Sequence, residues 1–290
     1  MAVIAESVPK AGPLAPVSRD PALAVTQSRV IRSEWIKLRT VRSWSIMMIS
    51  AAALLVAFGA LAASVAADAV SEPGPAGGGG GGGGGPFATT DPTSISLAGV
   101  TLAQLIIGVL GVLIISNEYA NGMIRASFGA VPKRLPVLWG KVIVLGGSLA
   151  VVMVVATVVA FLLGQGILGP DQNTTLGADN VLRAVIGAGL YLAGIGVFGI
   201  AVGALMRNTA GAISIVVAAL LIVPGLARLV LPDDWNTALS PYLPSNAGAA
   251  FTGVTGSDTL LTAWAGGLVF VGWLVVLLAG AAVLIRRRDA

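Results

Sequence analysis

Six apolar runs, each long enough to cross a bilayer, alternate along the chain with segments that differ sharply in charge. They cover residues 44–67, 96–116, 142–163, 181–205, 209–230 and 261–285. A helix rising about 1.5 Å per residue needs about 20 apolar residues to cross roughly 30 Å of hydrocarbon. Within each run apolar positions are continuous rather than alternating, which predicts helices and excludes the strands of a membrane β-barrel. The fourth and fifth runs are parted only by Met206-Arg207-Asn208, a very tight turn. The pattern predicts an all-α integral membrane protein with six transmembrane helices.

Charge orients those helices. Every Lys and Arg except Arg183 and Arg228 falls before the first run, between the second and third, in the 206–208 turn or in the tail. The opposite side holds Asp68, Glu72, Asp91, Asp171, Asp179, Asp233, Asp234 and Asp258. Basic flanks stay in the cytoplasm, so both termini are expected there, in a multi-pass protein of the cell membrane. Trp44 and Trp139 then mark the inner headgroup level, and Trp235 and Trp264 the outer one. The first run is too long for the core of a signal peptide, and about 43 residues precede it, so it reads as a retained span.

The segments between the runs have distinct characters. Residues 1–26 are rich in Pro and Ala and read as a disordered cytoplasmic tail. Over 27–41, Ile31, Trp35 and Leu38 recur at i, i+4 and i+7, with Arg32, Lys37 and Arg39 elsewhere around the helix. That is a basic amphipathic helix for the headgroup plane, with membrane lipid as its partner. Residues 42–290 form the six-span domain. Nine consecutive glycines, 77–85, sit in the first outer loop as a flexible linker, without the strand, helix and Lys-Ser/Thr of a phosphate cradle. Residues 231–260 are half apolar and broken by Pro241 and Pro244, which predicts a re-entrant segment folded back on the outer mouth between helices 5 and 6.

Composition narrows the chemistry. The chain is 56% hydrophobic and 10% charged, with a mean hydropathy of +0.92. It has no Cys and no His, which excludes disulfides, thiol and histidine catalysis and the commonest metal ligands; no metal site is expected. The pI of about 9.9 does not indicate nucleic acid, because the basic residues are dispersed by topology rather than pooled on one face. No Asp, Glu, Lys or Arg lies near the middle of a span, so an ion-coupled carrier and an intramembrane enzyme both lack their chemistry. No catalytic residue is assigned. Thr101, Gln104 and Ser214 are the candidates for a substrate path, with Gln104 the costliest to bury unpaired. Gly199 and Gly203, with the glycines preceding them, predict close helix packing.

The stretch from Asn117 to Lys141, N-E-Y-A-N-G-M-I-R-A-S-F-G-A-V-P-K-R-L-P-V-L-W-G-K, joins spans 2 and 3 through a short helix-sized middle punctuated by Gly122, Gly129 and Pro132. Together with the R-S-E-W-I-K-L-R-T segment at 32–40 and the L-P-S-N-A-G segment at 243–248, it resembles the ABC-2 family of permeases, the membrane subunits of bacterial ATP-driven exporters. Glu118, Gly122, Ile124, Arg125, Pro132, Arg134 and Lys141 match the family pattern, while Met123 stands where Thr is usual. The resemblance implies a cytoplasmic coupling helix around 122–128, with Glu118, Tyr119, Gly122, Met123, Ile124, Arg125, Phe128, Pro132 and Arg134 facing or bracing the ATPase contact. It implies two cytoplasmic ATP-binding cassette subunits as partners, and a second copy or a related permease. ATP and Mg would bind those subunits, and no cofactor is expected on this chain. The chain has no Gly-x-x-x-x-Gly-Lys-Ser/Thr: Gly140-Lys141 is followed by Val, with Leu135 where the first Gly belongs. Export of a hydrophobic or amphipathic substrate by alternating access is the function implied. A secondary carrier and a non-transporting scaffold are the rival classes. The first would need ionisable or broken spans, and the second would need neither the amphipathic helix nor the re-entrant segment.

Overall fold

The computed structural model describes residues 26–71, 91–120, 135–170, 172–256 and 260–287. Among these, all regular structure is helical. The tail 1–25, the polyglycine run and the segment 121–134 lie outside the described residues, and with them the expected coupling helix.

Six helices are long and apolar enough to cross a membrane. They are α2 (Arg42–Ser71), α4 (Val100–Ala120), α5 (Leu135–Leu168), α6 (Val181–Met206), the rod Thr209–Val230 and α11 (Ala263–Arg287). The rod is composite: α7 (Thr209–Val217), one wide π turn over Ala218–Ile222, and α8 (Val223–Val230). Pro224 explains the wide turn. It offers no N–H to the carbonyl of Leu220 and its ring would crowd that carbonyl in a regular helix.

The third span departs most from expectation. It was expected over 142–163, yet α5 is a 34-residue helix, about 50 Å long. Pro136 sits in its first turn, where a missing N–H costs nothing. The helix therefore overshoots the hydrocarbon, and Lys141 lies on it rather than in a loop.

Local signals set the other ends. Asp91 caps the short α3 (Pro92–Ser96) by accepting from the Ser94 amide at 2.9 Å and the Ser94 hydroxyl at 2.6 Å. Between α6 and α7, Arg207 takes a left-handed conformation, φ 53°, and Asn208 caps α7 by accepting from the Gly211 amide at 2.9 Å. Two residues between the helices, Arg207 and Asn208, suffice to reverse the chain.

α6 is the axis of the bundle. Its most apolar stretch is 83% buried, against 22% for Thr209–Val230 and for α11, whose outer faces present Leu229, Leu268 and Val276 to the surroundings. Helices gain little from hiding apolar surface when the solvent is lipid, so close approach of small residues carries the packing. A methyl group on Gly111 of α4 would sit 2.1 Å from the Gly196 carbonyl oxygen of α6, so backbone touches backbone there.

One end of the bundle carries α1 (Gln27–Thr40), Arg207 and the start of α5, and is called here the basic end. At the opposite, acidic end, α9 (Asp233–Leu239), a 3₁₀ turn (Ser240–Tyr242) and α10 (Pro244–Thr252) fold back between the fifth and sixth spans. α10 lies against both α6 and α11. The side chain of Asn246 donates to the Ser240 carbonyl and hydroxyl, each at 2.8 Å, closing the re-entrant turn on itself.

Candidate functional site

Two places concentrate polar chemistry, one at each end of the bundle. At the basic end, four charged side chains from three helices interlock. Lys141 of α5 donates to Glu118 Oε1 of α4 at 2.7 Å and to Glu34 Oε2 of α1 at 2.9 Å. Lys37 donates to Glu34 Oε1 at 2.7 Å and to Glu118 Oε1 at 3.1 Å. Two cations and two anions balance. The Lys141 side chain is 0% exposed, those of Glu34 and Glu118 4% and 7%, and that of Lys37 31%. Uncompensated, charges buried this deeply would be strongly destabilising; paired and hydrogen-bonded, they are tolerated and fix one geometry.

The local sequence explains how they meet. Glu34 and Lys37 stand three residues apart on α1, within reach of each other. Gly140 provides the seat for that helix: a methyl there would lie 3.0 Å from Val30 Cγ1 and 3.5 Å from Glu34 Cγ. The Gly140-Lys141 pair is thus a docking step for α1, with the glycine admitting the helix and the lysine neutralising its carboxylate. Burial alone would raise the Glu34 carboxyl above its ordinary 4.5, but Lys141 and Lys37 outweigh it and hold it below. Burial likewise opposes the charge on Lys37, yet Glu34 and Glu118 keep its ammonium above the ordinary 10.5.

The face α1 presents to the bundle differs from the one its apolar spacing predicts. Leu38 is buried and Ile31 packs against the core, but Trp35 is 44% exposed, with the Arg39 guanidinium 6.0 Å above its ring. Val30, Glu34 and Leu38 form the inward stripe. The face is turned because a charged residue belongs to it. Tyr119, beside Glu118, carries the Arg207 guanidinium 5.2 Å over its ring, tying the 206–208 turn to the same end. Gly122, Met123, Ile124, Arg125, Phe128, Pro132 and Arg134 lie outside the described residues, between Glu118 and Lys141 in the chain.

At the acidic end, a cavity of about 780 Å³ opens among α2, α4, α6, α8 and α10. Its walls are mainly apolar, with Phe58, Leu97, Leu220 and Leu221 among them. Gln104 accepts from the Tyr191 hydroxyl at 2.6 Å, and both are buried. Thr101 and Gln104 thus line one cavity; Ser214 is exposed on α7 and does not. The Tyr191 ring also supports α10, since a methyl on Gly248 would come within 2.1 Å of its Cε2. The π turn and Pro224 form the wall opposite, so the irregular part of the fifth span faces the cavity.

Arg183 and Arg228, the two basic residues that fall on the acidic side, behave differently. Arg183 donates to the Phe251 and Gly253 carbonyls, the second at 2.8 Å, and so caps the C-terminus of α10. Arg228 lines the cavity instead. Sequence reasoning missed Glu34, Tyr191 and the cavity position of Arg228. Only Glu34 left a trace, in its i, i+3 spacing from Lys37.

A search among curated proteins finds no match. A family model described as "ABC-2 family transporter protein" matches residues 30–225, which take in the four interlocked charges, the first four spans and the wide turn of the fifth. With more than half of its length matched, the chain belongs to the ABC-2 transporter family, whose members are membrane permease subunits rather than the ATPase.

Proposed function

We propose that this chain is the permease subunit of an ATP-driven exporter in a bacterial cytoplasmic membrane, with the basic end cytoplasmic. It pairs with a second copy or a related permease and docks two ATP-binding cassette subunits, which bind ATP and Mg. The observation that carries this reading is the charge lock. Lys141 and Glu118 stand at the two ends of the 121–134 segment, and Glu34 and Lys37 bind those ends to α1. A push on that segment therefore reaches α1, α4 and α5 as one body rather than dissipating in a loose loop. Through the contacts of α4 and α5 with α6, the push reaches the helix at the centre of the bundle. Two packings of one bundle, biased by contacts at its cytoplasmic end, would give alternating access. An apolar or amphipathic cargo would stand in the cavity.

The test uses the purified complex with its ATPase partners. Glu118→Lys should leave the ATPase bound while uncoupling ATP hydrolysis from substrate, and Glu118→Lys with Lys141→Glu should restore coupling. Glu118→Gln, a milder change, serves if the reversal prevents assembly. Arg125→Glu should instead weaken co-purification, more so at high salt, as a rim contact would. Substrate-stimulated ATP hydrolysis at the wild-type level in the Glu118 variants would overturn the reading.

A further inference from the structure

We propose that the cavity selects an amphiphile with a negatively charged headgroup, held by Arg228. This deepens the transport reading and rests on it for the cavity being where cargo stands. Three observations point the same way. Among the described lining residues Arg228 is the one charged side chain, with no Asp or Glu beside it. Arg228 is exposed at the open side of the cavity, so an anionic headgroup entering among these mainly apolar walls meets its guanidinium directly. It also contrasts with Arg183 at the same end of the bundle, which donates to backbone carbonyls. Ser245, in the same lining, has a hydroxyl that is buried with no hydrogen-bond partner among the described residues. A buried hydroxyl left unmade is costly, and a ligand oxygen would complete it.

The surroundings sharpen the inference. Asp68, Asp179, Asp233 and Asp234 are all exposed at this end of the bundle. Their field draws cations to the surface, so preference for an anion has to come from inside the cavity. The walls then define the rest of the ligand. Phe58, Leu97, Leu220 and Leu221 offer an apolar bed, and about 780 Å³ lies within the range that encloses a drug-sized molecule. A guanidinium binds a carboxylate, sulfate or phosphate by paired N–H donors, and repels an ammonium headgroup on the same chain. Two sources share that chemistry: an anionic phospholipid of the bilayer, and a free anionic amphiphile on its way out.

The test needs no ATPase, so it fails or succeeds apart from transport. The permease is placed in phosphatidylcholine nanodiscs with diazirine-bearing dodecanoate, or with the diazirine-bearing dodecyl trimethylammonium of the same chain length, and labelled peptides are mapped by mass spectrometry. Dodecanoate should label peptides of α8 and α10 about tenfold more strongly than the ammonium probe. Arg228→Gln should remove that difference, Arg228→Lys should keep most of it, and Ser245→Ala should weaken it a few-fold, as loss of a charge-assisted bond and of a neutral one predict. Thermal unfolding of each variant guards against loss of fold, and the Arg228→Lys result stands even where Arg228→Gln is unstable. Phosphatidylglycerol doped into the nanodisc should compete if the occupant is a bilayer lipid and leave labelling unchanged if it is a free amphiphile. Equal labelling by the two probes, or a charge preference that survives Arg228→Gln, would overturn the proposal. Transport without charge preference would sink this inference alone, whereas charge-selective binding without ATP-driven movement would sink the transport reading alone.

Discussion

The two ends of the bundle solve opposite problems with opposite chemistry. At the basic end, two lysines and two glutamates neutralise one another inside the protein, and three helices close around them. At the acidic end the joints are not ion pairs: Tyr191 to Gln104 and Asn246 to Ser240 are neutral, and Arg183 donates to backbone carbonyls rather than to a carboxylate. A helix is widened there by a π turn, and a cavity is left open. Buried charge tolerates almost no change of geometry, because a pair pulled apart leaves both partners unsolvated. Neutral hydrogen bonds and a wide turn can be rearranged for far less. One end is therefore suited to transmit a displacement, and the other to change shape around a ligand.

The contrast makes its largest prediction at Lys141. Lys141→Met leaves Glu34 and Glu118 buried with only Lys37 between them, and should cost about 3–5 kcal/mol. Tyr191→Phe, which leaves the Gln104 oxygen without its donor, should cost about 1–3 kcal/mol. Thermal unfolding of both variants in the same nanodiscs measures the difference. If Tyr191→Phe proves the more damaging, the basic end is not the rigid one.

A second prediction separates the ends by pH. Glu34 is held below its ordinary 4.5, so its stabilising share is complete above that value and is lost as pH falls through the lower, folded-state value. Lys37 is held above 10.5; its share is complete below 10.5 and is lost as pH rises through its folded-state value. Between those limits both contributions are level. Midpoints of unfolding should therefore drop on the acid side, and Glu34→Gln should flatten part of that drop. Tyr191→Phe should lower the whole profile without changing its acid slope. An acid limb identical in wild type and Glu34→Gln would remove Glu34 from the lock.

What was legible in the sequence follows from the range over which each signal acts. The six spans and the re-entrant segment rest on composition within a single stretch, and the helices stand close to where the apolar runs place them. Glu34 is different. Its partner Lys141 lies 107 residues away, and nothing in α1 says that a charged residue will face inward until α5 supplies a cation. The same holds for Gln104, whose cost of burial was plain but whose partner Tyr191 is 87 residues on. Arg183 and Arg228 look alike as basic residues at span ends; only the placement of α10 makes one a cap and the other a cavity wall. The wide turn had a local sign in Pro224, but its consequence depends on what lies opposite.

The smallest effect tests how α1 sits, and so how far the lock extends. Leu38 is 5% exposed and packs in the core, while Trp35 is 44% exposed. Apolar spacing alone ranks the two as equal members of one face. The structure ranks them apart: Leu38→Ala should cost about 2–5 kcal/mol, as loss of a buried leucine does. Trp35→Ala should cost under about 1 kcal/mol, because Trp35 stands outside the buried core and stacks only weakly with Arg39. What Trp35 can still do is lean into the headgroup region, an interaction absent in detergent. The Trp35→Ala variant should therefore unfold like wild type in detergent, and slightly earlier in lipid nanodiscs. A large loss in detergent would mean that tryptophan, not the inward stripe of Val30, Glu34 and Leu38, seats the helix, and that the charge lock holds α1 less firmly than its geometry implies.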